Sequence, residues 1–500
     1  MSYTKSATRK RTGEVSRRSF VGGAVSTAAT LTIAPRHVLG GRGYIAPSDK
    51  ITAACIGVGA QGTRVMMDFL KQPDVQIVSV CDVNKESGDY VEWNPNELRD
   101  KERALLGNSE WGKDWKGPTA GREPARRLVE AYYAKQTTSG EYKGCATYVD
   151  YRELLEKERD LNAVIVGAPD HSHTMISIAA MKKRKHVYCQ KPLTHSVYEA
   201  RRIAEVARET RVATQVAVGN QASEATRLLC EWIWAGAIGP VREVHNWSSR
   251  PFWPQGVERP AKEEPVPSGF DWDLWLGPAP FRPYHHAYLP FVWRGWYDFG
   301  CGAIGDMGCY SFDTIFRVLK LGSPESVEAS STKTFPETFP AASIIHFRFP
   351  ARGETPPVKL TWYDGGLKPP RPPELEEGRE MSRENEGLLF VGDKGTILCG
   401  FNGQNPKLIP ESKMREFKQP DKTLPRSPGN DREWIEACKG GPAGGANFEF
   451  EGLVTETVLL GNVALRAGKK LSWDGPNLKL LNAPEAQQYV RGEYRQGWTL

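Results

Sequence analysis

The chain has 500 residues, of which 39% are hydrophobic and 25% are charged. This balance is typical of a soluble globular protein of two or three domains, and it excludes a disordered, fibrous or multi-span membrane protein. The net charge of +6 comes from residues 1–42, which carry eight Lys and Arg against one Glu, so residues 43–500 sum to −1. A nearly neutral body argues against nucleic acid or an anionic membrane as a partner.

Residues 1–42 contain an arginine pair, Arg17-Arg18, followed by a weakly apolar run over 20–33. The run is shorter than the roughly 20 apolar residues that a membrane-spanning helix needs, so we expect no membrane span. The pattern is typical of a twin-arginine signal, which acts as an address and not as an anchor. We expect 1–42 to be a signal peptide and linker and the protein to be exported to the periplasm. A disordered basic tail is the alternative.

The nine cysteines contain no C-x-x-C pair. Their wide spacing predicts neither a zinc site nor a full disulfide framework, although a single bridge stays open for an exported protein. We therefore expect no metal.

Residues 51–221 alternate apolar strands with amphipathic helices, a pattern that predicts a doubly wound parallel sheet with helices on both faces. The predicted strands are 51–56, 76–81, 163–166, 186–189 and 213–216. The predicted helices are 62–70, 122–135, 151–158, 173–182 and 197–209. A polar stretch over 85–121 is interpreted as an insertion. We place the first domain at 43–221.

After residue 219 the pattern changes to strands in quick succession, which predicts an α+β domain with a large, mainly antiparallel sheet over 222–500. The predicted strands are 241–247, 327–331, 343–349, 358–363, 388–390 and 396–399. The predicted helices are 224–235, 305–319 and 450–467. A loop rich in proline and aromatic residues covers 250–296.

A glycine loop follows the first strand and opens the first helix. It reads Gly57-Val58-Gly59-Ala60-Gln61-Gly62, the G-x-G-x-x-G pattern that brings a dinucleotide pyrophosphate to a helix N-terminus. Asp82 ends the second strand, where a carboxylate accepts hydrogen bonds from the adenosine ribose and repels a 2′-phosphate. We therefore predict NAD as the cofactor, with NADP open because Lys85 is nearby.

Polar side chains follow three further strands, at the sheet edge where ligands bind in open α/β folds. Pro169, His171 and His173 follow one strand and Gln190 and Lys191 follow the next, and we expect these five around the cofactor. Asn220 and Gln221 follow the third strand, and we expect them to contact the substrate. In the 250–296 loop, His285, Arg294 and Trp296 are candidate substrate contacts. Each histidine has the alternative of a structural hydrogen bond.

These motifs, together with Gly305-Asp306-Met307-Gly308-Cys309-Tyr310, resemble the Gfo/Idh/MocA family over nearly all of residues 50–500. The run 190–195 and the Trp-rich segment 272–296 resemble an exported branch of it. The resemblance implies a Rossmann domain joined to an open-sheet domain and NAD(P)-dependent oxidation of a sugar or cyclitol hydroxyl. It also implies a catalytic Lys191 and a helix that carries Asp306 and Tyr310. A homo-oligomer formed through the C-terminal sheet stays open.

Two positions depart from the usual family motifs. Gln190 replaces a glutamate before Lys191, so we expect a lower lysine pKa than the family pattern implies. Tyr310 replaces a histidine, as in the glucose–fructose oxidoreductase branch. We expect Lys191 to lower the Tyr310 pKa, and Asp306 to orient Tyr310 or bind a neighbouring hydroxyl. The alternative for Tyr310 is a packing role in the domain interface.

Three functions fit these features. The first is an exported NAD(P)-dependent sugar or glycoside dehydrogenase, in which Tyr310 or Lys191 takes the hydroxyl proton and the cofactor stays tightly bound. The second is a redox-neutral glycoside cleavage or epimerisation. The third is a non-enzymatic, cofactor-bound sugar sensor.

Overall fold

Two sheets organise the residues that the computed structural model describes, 49–382 and 384–500. Residues 51–500 form a single unit, and the signal predicted over 1–42 lies outside the described residues. Within the described part of the chain, no helix has the length and apolar character needed to cross a bilayer. All nine cysteines are free thiols.

The strands are β1 (Ile51–Ile56), β2 (Val75–Cys81), β3 (Ala146–Tyr148), β4 (Ala163–Val166), β5 (His186–Cys189), β6 (Thr214–Val216), β7 (Val241–Trp247), β8 (Ser326–Ser331), β9 (Ser343–Phe349), β10 (Val358–Tyr363), β11 (Gly387–Gly392), β12 (Thr396–Cys399), β13 (Lys407–Ile409), β14 (Leu471–Asp474) and β15 (Lys479–Leu480). The α-helices are α1 (Ala60–Leu70), α2 (Glu97–Leu106), α3 (Arg122–Ala134), α4 (Tyr151–Lys157), α5 (Asp170–Lys182), α6 (Val197–Thr210), α7 (Glu224–Trp234), α8 (Trp272–Leu276), α9 (Cys309–Leu319), α10 (Glu411–Glu416), α11 (Asn430–Cys438), α12 (Phe448–Ala467) and α13 (Gln488–Arg491).

The first sheet is parallel throughout, with the strand order β3-β2-β1-β4-β5-β6. Alternate residues of β1 enter two different cores: Ala53 and Cys55 pack on one face, and Ala54 and Ile56 pack on the other. Because both faces are covered, the central strands β1, β4 and β5 are buried along almost their whole length. The predicted Rossmann-type sheet is confirmed.

The second sheet has nine strands in the order β13-β12-β11-β7-β10-β9-β8-β14-β15. Its pairs are antiparallel except that β7 and β10 run parallel. Helices α9 and α12 bury apolar side chains against one face, including Phe312 and Val458 beside Phe347 of β9. The predicted mainly antiparallel sheet is confirmed.

Two elements near the site differ from the predicted ones. The helix predicted over 305–319 begins with a π-helical turn, Ile304–Gly308, before α9. The 85–121 stretch, predicted as a polar insertion, contains helix α2, which buries Leu98 and Leu106. The strands β3, β13, β14 and β15, which have two to four residues each, were not predicted.

Candidate active site

Two glycines of the loop between β1 and α1 lie where there is no room for a side chain. Gly57 has φ +83°, and a Cβ built on it would lie 2.4 Å from the Ala168 backbone nitrogen. A Cβ on Gly62 would lie 1.8 Å from the Gly57 carbonyl oxygen. Helix α1 begins at Ala60, and no side chain caps it. Its first-turn N–H groups are therefore available to an anion at the helix N-terminus.

A cavity of about 660 Å³ opens from this loop along the carboxyl ends of the parallel strands. It is lined by parts of 56–64, 81–93, 149–151, 167–176, 250–253, 267–294 and 306–310, together with Gln190, Lys191 and Trp498. Both the 85–121 insertion and the 250–296 loop contribute walls. They meet where the ring of Trp93 lies 5.6 Å from that of Phe291, centroid to centroid.

Asp82 lies at the glycine-loop end of the cavity. Its carboxylate accepts hydrogen bonds from the backbone N–H groups of Val58, at 2.7 Å, and Asn84, at 2.8 Å. Burial raises the pKa of Asp82 to about 6, although both hydrogen bonds favour the charged form. The Tyr90 ring lies over Gly59, close enough that a Cβ there would be 2.8 Å from the ring edge. Lys85 does not contribute to the described lining.

Lys191 and Asp306 form a buried ion pair at the opposite end. The lysine Nζ donates to Asp306 Oδ1 at 2.7 Å and to the Asp306 carbonyl oxygen at 2.8 Å. Arg294 Nε donates to the same Oδ1 at 3.0 Å. Burial disfavours both charges, but each charge favours the other. The pKa of Lys191 is therefore raised above its ordinary value and that of Asp306 falls to about 2.

Gln190 led us to expect a Lys191 pKa lower than the family pattern implies, yet the pKa is raised above the ordinary lysine value. The neutral Gln190 does not hold the ammonium by charge, but the carboxylate of Asp306, from the second domain, takes over that role.

Tyr310 lines the cavity beside the pair, and the Lys191 Nζ lies 5.0 Å from its ring centroid, over the face of the ring. Burial raises the pKa of Tyr310, and the nearby ammonium only partly opposes this. The expected lowering was wrong. Asp306 is occupied by Lys191 and Arg294, so it does not orient the phenol. Asn220 donates instead to the Tyr310 carbonyl oxygen.

Asp170, the first residue of α5, also lines this end of the cavity. Its Oδ2 is buried and has no hydrogen-bond partner among the described residues. Burial raises the pKa of Asp170 to about 7; Arg294 and Lys191 lower it, and Asp306 raises it. The sequence motif drew attention to the flanking histidines and not to this carboxyl group.

Several aromatic rings also line the cavity. The ring centroids of Trp253 and Phe291 are 5.9 Å apart. The Arg294 guanidinium lies 4.3 Å from the Trp293 ring centroid. Trp498 also lines the cavity. The Arg152 guanidinium lies over its ring, 4.7 Å from the ring centroid.

Two family models match the chain. One, described as the NAD-binding Rossmann fold of an oxidoreductase family, matches residues 118–218. The other, the C-terminal α/β domain of the same family, matches residues 240–351. The chain belongs to the Gfo/Idh/MocA oxidoreductase family.

Curated members of the Gfo/Idh/MocA family match the chain over short regions. The levoglucosan dehydrogenase of Pseudarthrobacter phenanthrenivorans is 28% identical over 107 residues, 20% of this chain and 27% of that protein. The dTDP-3,4-didehydro-2,6-dideoxy-α-D-glucose 3-reductase of Streptomyces violaceoruber is 35% identical over 113 residues, 22% of this chain and 32% of that protein. The matches thus span about a third or less of these relatives' length.

Among solved structures, the WlbA dehydrogenase of Bordetella pertussis in complex with NADH and UDP-GlcNAcA aligns with a TM-score of 0.53. The alignment covers 85% of this chain and 99% of that one, at 15% identity. At this identity the likeness concerns the fold.

The cavity brings together most of the predicted site residues of this family member. They are Gly57, Gly59, Ala60, Gln61, Gly62, Asp82, Pro169, Gln190, Lys191, Arg294, Asp306 and Tyr310. Six others are not part of the lining that the described residues form: His171, His173, Asn220, Gln221, His285 and Trp296.

The two histidines of α5 bond to backbone carbonyl groups. His171 spans the carbonyl oxygens of Phe299 and Trp275. His173 spans those of Pro192 and Ala168, and burial lowers its pKa to about 4. Neither histidine lines the described cavity, in contrast to the position expected for them around the cofactor, and both hold loops beside it.

Two of the predicted substrate contacts face other partners. Gln221 donates to the side chain of Asn430. Trp296 is buried and its indole N–H donates to the Ala287 carbonyl oxygen.

His285 belongs to a small cluster with Glu264 and His286 that has the composition of a metal site. His285 Nδ1, however, accepts the Ala287 backbone N–H. In the neutral ring, Nε2 then carries the proton and has no lone pair for a metal.

Proposed function

We propose that the protein is an NAD(P)-dependent oxidoreductase that transfers hydride between a sugar or glycoside hydroxyl and a nicotinamide cofactor. The observation that carries the proposal is the Lys191–Asp306 pair, which lies in the same cavity as the glycine loop. A dinucleotide bound with its pyrophosphate at one end would extend toward the charged pair at the other.

The residues at the glycine-loop end fit a dinucleotide. The uncapped N–H groups of α1 suit a pyrophosphate, and the closely packed glycines leave backbone, not side chains, facing it. Asp82 suits the ribose hydroxyls and disfavours a 2′-phosphate, which supports NAD over NADP. A bound nicotinamide would supply the hydride acceptor.

Lys191 has the charge and position to stabilise the oxygen of a reacting hydroxyl. Asp306 keeps it protonated and Arg294 adds a second positive charge, so the cluster of three carries a net charge of +1. Negative charge that develops on a substrate oxygen is stabilised by such fixed donors. Tyr310, held protonated by burial, acts here as a hydrogen-bond donor.

The substrate class follows from the aromatic wall. Trp253, Phe291 and Trp293 line the cavity, and aromatic rings can pack against the C–H surfaces of a sugar. The two curated relatives described above are named for sugar substrates. A redox-neutral cleavage or epimerisation is the second candidate. The 85–121 insertion and the 250–296 loop both form walls of the cavity, and such walls would slow release of the cofactor. This feature favours a redox-neutral cycle and supports a tightly bound cofactor. Because of the Arg17-Arg18 pair, we also propose that the protein is exported to the periplasm.

The test begins with protein purified without added nucleotide, dialysed extensively and analysed by mass spectrometry. It is then assayed with a panel of sugars at the nicotinamide absorbance. Bound NAD and net NADH formation support the dehydrogenase, and turnover without net NADH supports the redox-neutral cycle. Tight sugar binding without chemistry would contradict both.

Paired glycine variants control for the nucleotide site. Gly62→Ala should abolish nucleotide binding because the new Cβ meets the Gly57 carbonyl group. Gly322→Ala should bind normally because no atom lies within 4 Å of the added Cβ. Equal binding by both variants would place the nucleotide elsewhere.

A further inference from the structure

The 492–500 segment, which follows α13, is held in place where α8 ends. The Arg495 backbone N–H donates to the Pro278 carbonyl oxygen at 2.9 Å. The Arg495 guanidinium donates to two more carbonyl oxygens, from Nε to Gly277 at 3.0 Å and from Nη2 to Asp273 at 2.8 Å. Three hydrogen bonds to backbone carbonyl groups thus give this segment a defined path.

Trp498 belongs to this segment and lines the cavity. The Arg152 guanidinium lies over its ring, and the Asp150 carboxylate accepts from Arg152 Nε at 2.9 Å. A Cβ added to Gly277 would lie 3.8 Å from the Trp498 ring. Two residues further on, Leu500 packs against the apolar core on one face of the parallel sheet. The indole is therefore held in place by contacts with several parts of the protein.

The place of Trp498 in the cavity follows from the strand order. Next to β1 lies β2, and next to β2 lies β3 at the edge of the sheet. A dinucleotide with its pyrophosphate at the glycine loop after β1 has its adenosine ribose at Asp82, after β2. The cavity continues to residues 149–151, after β3. Because Arg152 lies over the Trp498 ring, Trp498 borders the space into which the base would extend.

The side chains around this space suit an aromatic base. Tyr151 and Ile176 line the cavity, and both pack in the same apolar core as Leu500. Contact with an aromatic side chain tightens binding of a nucleic-acid base by about 10–100-fold, because every base has an aromatic face of its own. A sugar or a phosphate group would gain less from such apolar surroundings.

We propose that Trp498 binds the adenine base of the dinucleotide and slows its release, an inference that rests on the nicotinamide cofactor proposed above. The role is cofactor binding and not hydride transfer. Loss of the ring should act mainly on the dissociation rate of the dinucleotide, since most changes in affinity appear in that rate.

Trp234, the last residue of α7, provides a matched control. The Lys320 ammonium lies over its ring, 4.3 Å from the ring centroid, and its indole N–H donates to the Val318 carbonyl oxygen at 2.8 Å. Trp234 is not part of the described cavity lining. The two tryptophans share a cation over the ring, and they differ in access to the cavity.

The first experiment compares three nucleotides that carry different parts of the cofactor. The nucleotide-free protein is titrated with NADH, with AMP, and with reduced nicotinamide mononucleotide, which has no adenine. Trp498→Ala should weaken binding of NADH and AMP by about 10–100-fold and leave binding of the mononucleotide unchanged. Trp498→Phe keeps a ring and should recover most of the affinity, and Trp234→Ala should match the native protein.

Two results of these titrations would overturn the inference alone. One is native affinity of Trp498→Ala for NADH and AMP. The other is an equal loss of affinity for NADH and for the mononucleotide, which would show a general disturbance of the site. Absence of NADH binding by the native protein would overturn the proposed function as well.

The second experiment measures release directly. Protein loaded with NADH is mixed with excess NAD in a stopped-flow instrument, and NADH should leave Trp498→Ala about 10–100-fold faster than the native protein. In steady-state assays of the same variant, the KM for NAD should rise, and kcat at saturating NAD should be native, or higher where release limits turnover. A native release rate, or a lower kcat with a native KM for NAD, would contradict the proposal.

Thermal unfolding separates a base contact from a purely structural role. NADH that binds the folded protein raises its melting temperature by an amount that depends on affinity. This rise should be smaller in Trp498→Ala than in the native protein, whatever the melting temperature of the variant without nucleotide, and Trp234→Ala should show the full rise. An equal rise in Trp498→Ala and the native protein would assign Trp498 a structural role only and refute the inference.

Discussion

Two buried clusters of charged side chains differ in their balance of charge. At the cavity, Lys191 and Arg294 share the single carboxylate of Asp306. In the core of the second domain, the single cation Arg317 contacts two acids, at 2.7 Å to Asp313 and 3.4 Å to Glu451. Burial, with Asp313 beside it, raises the pKa of Glu451 well above its ordinary value.

The difference separates a cluster that can act on a ligand from one that holds helices together. The cavity cluster has an excess positive charge beside open volume, so it can stabilise an anionic oxygen. The core cluster lies between α9 and α12 and lines no part of the described cavity, and burial favours the protonated form of Glu451. Burial and ion pairing alone therefore do not identify a functional site; the unbalanced charge and the adjoining cavity do.

The sharpest test of the comparison is Lys191→Ala. Nucleotide should bind normally, and turnover should fall by about 10²–10³-fold because a donor to the developing oxyanion is lost. Steady-state kinetics and nucleotide titration measure the two effects. Near-native turnover would refute the role assigned to Lys191.

Arg317→Ala should affect stability and leave nucleotide binding intact. It leaves two buried acids without their cation, and we expect a loss of about 3 kcal/mol in the free energy of unfolding. Glu451→Gln is the matched variant. Glu451→Gln should cost far less, because burial raises the pKa of Glu451 and so favours its uncharged form. Urea denaturation measures both, and equal losses would show that Glu451 is charged.

Asp306→Asn should remove the negative charge that keeps Lys191 protonated in its buried position. Without the carboxylate, burial lowers the Lys191 pKa, and we expect turnover to fall by about tenfold near neutral pH, equivalent to about 1.4 kcal/mol. Activity should partly return at lower pH, where the lysine regains its proton. A pH–rate profile unchanged from the native one would show that Asp306 does not control the lysine.

The smallest effect is expected at the other end of the cavity. Asp82→Ser removes repulsion of a 2′-phosphate and should narrow the preference for NAD over NADP by about tenfold or less. Comparative titrations with the two nucleotides measure this. Tighter NADP binding by the native protein would contradict our interpretation of the β2 end.

The sequence predicted the positions of the glycine loop and of the ends of β2, β4 and β5, because each is marked by a local sequence pattern. The parallel sheet then brings these segments to one edge. The sequence did not predict which charges would meet there. Asp306 is far from Lys191 in sequence, so the raised lysine pKa depends on packing between domains. His171 and Asp170 are adjacent in the chain, yet one faces carbonyl groups and the other the cavity, a difference of orientation that residue type does not specify.

The lining of the cavity runs from Ile56 after the first strand to Trp498. During synthesis on the ribosome, Trp498 is the last of these residues to emerge, long after the glycine loop has been made. A partly translated chain therefore presents the loop without the part of the wall that Trp498 provides. The complete cavity can therefore form only after Trp498 has emerged, and a nucleotide that depends on this part of the wall is expected to be captured after that point.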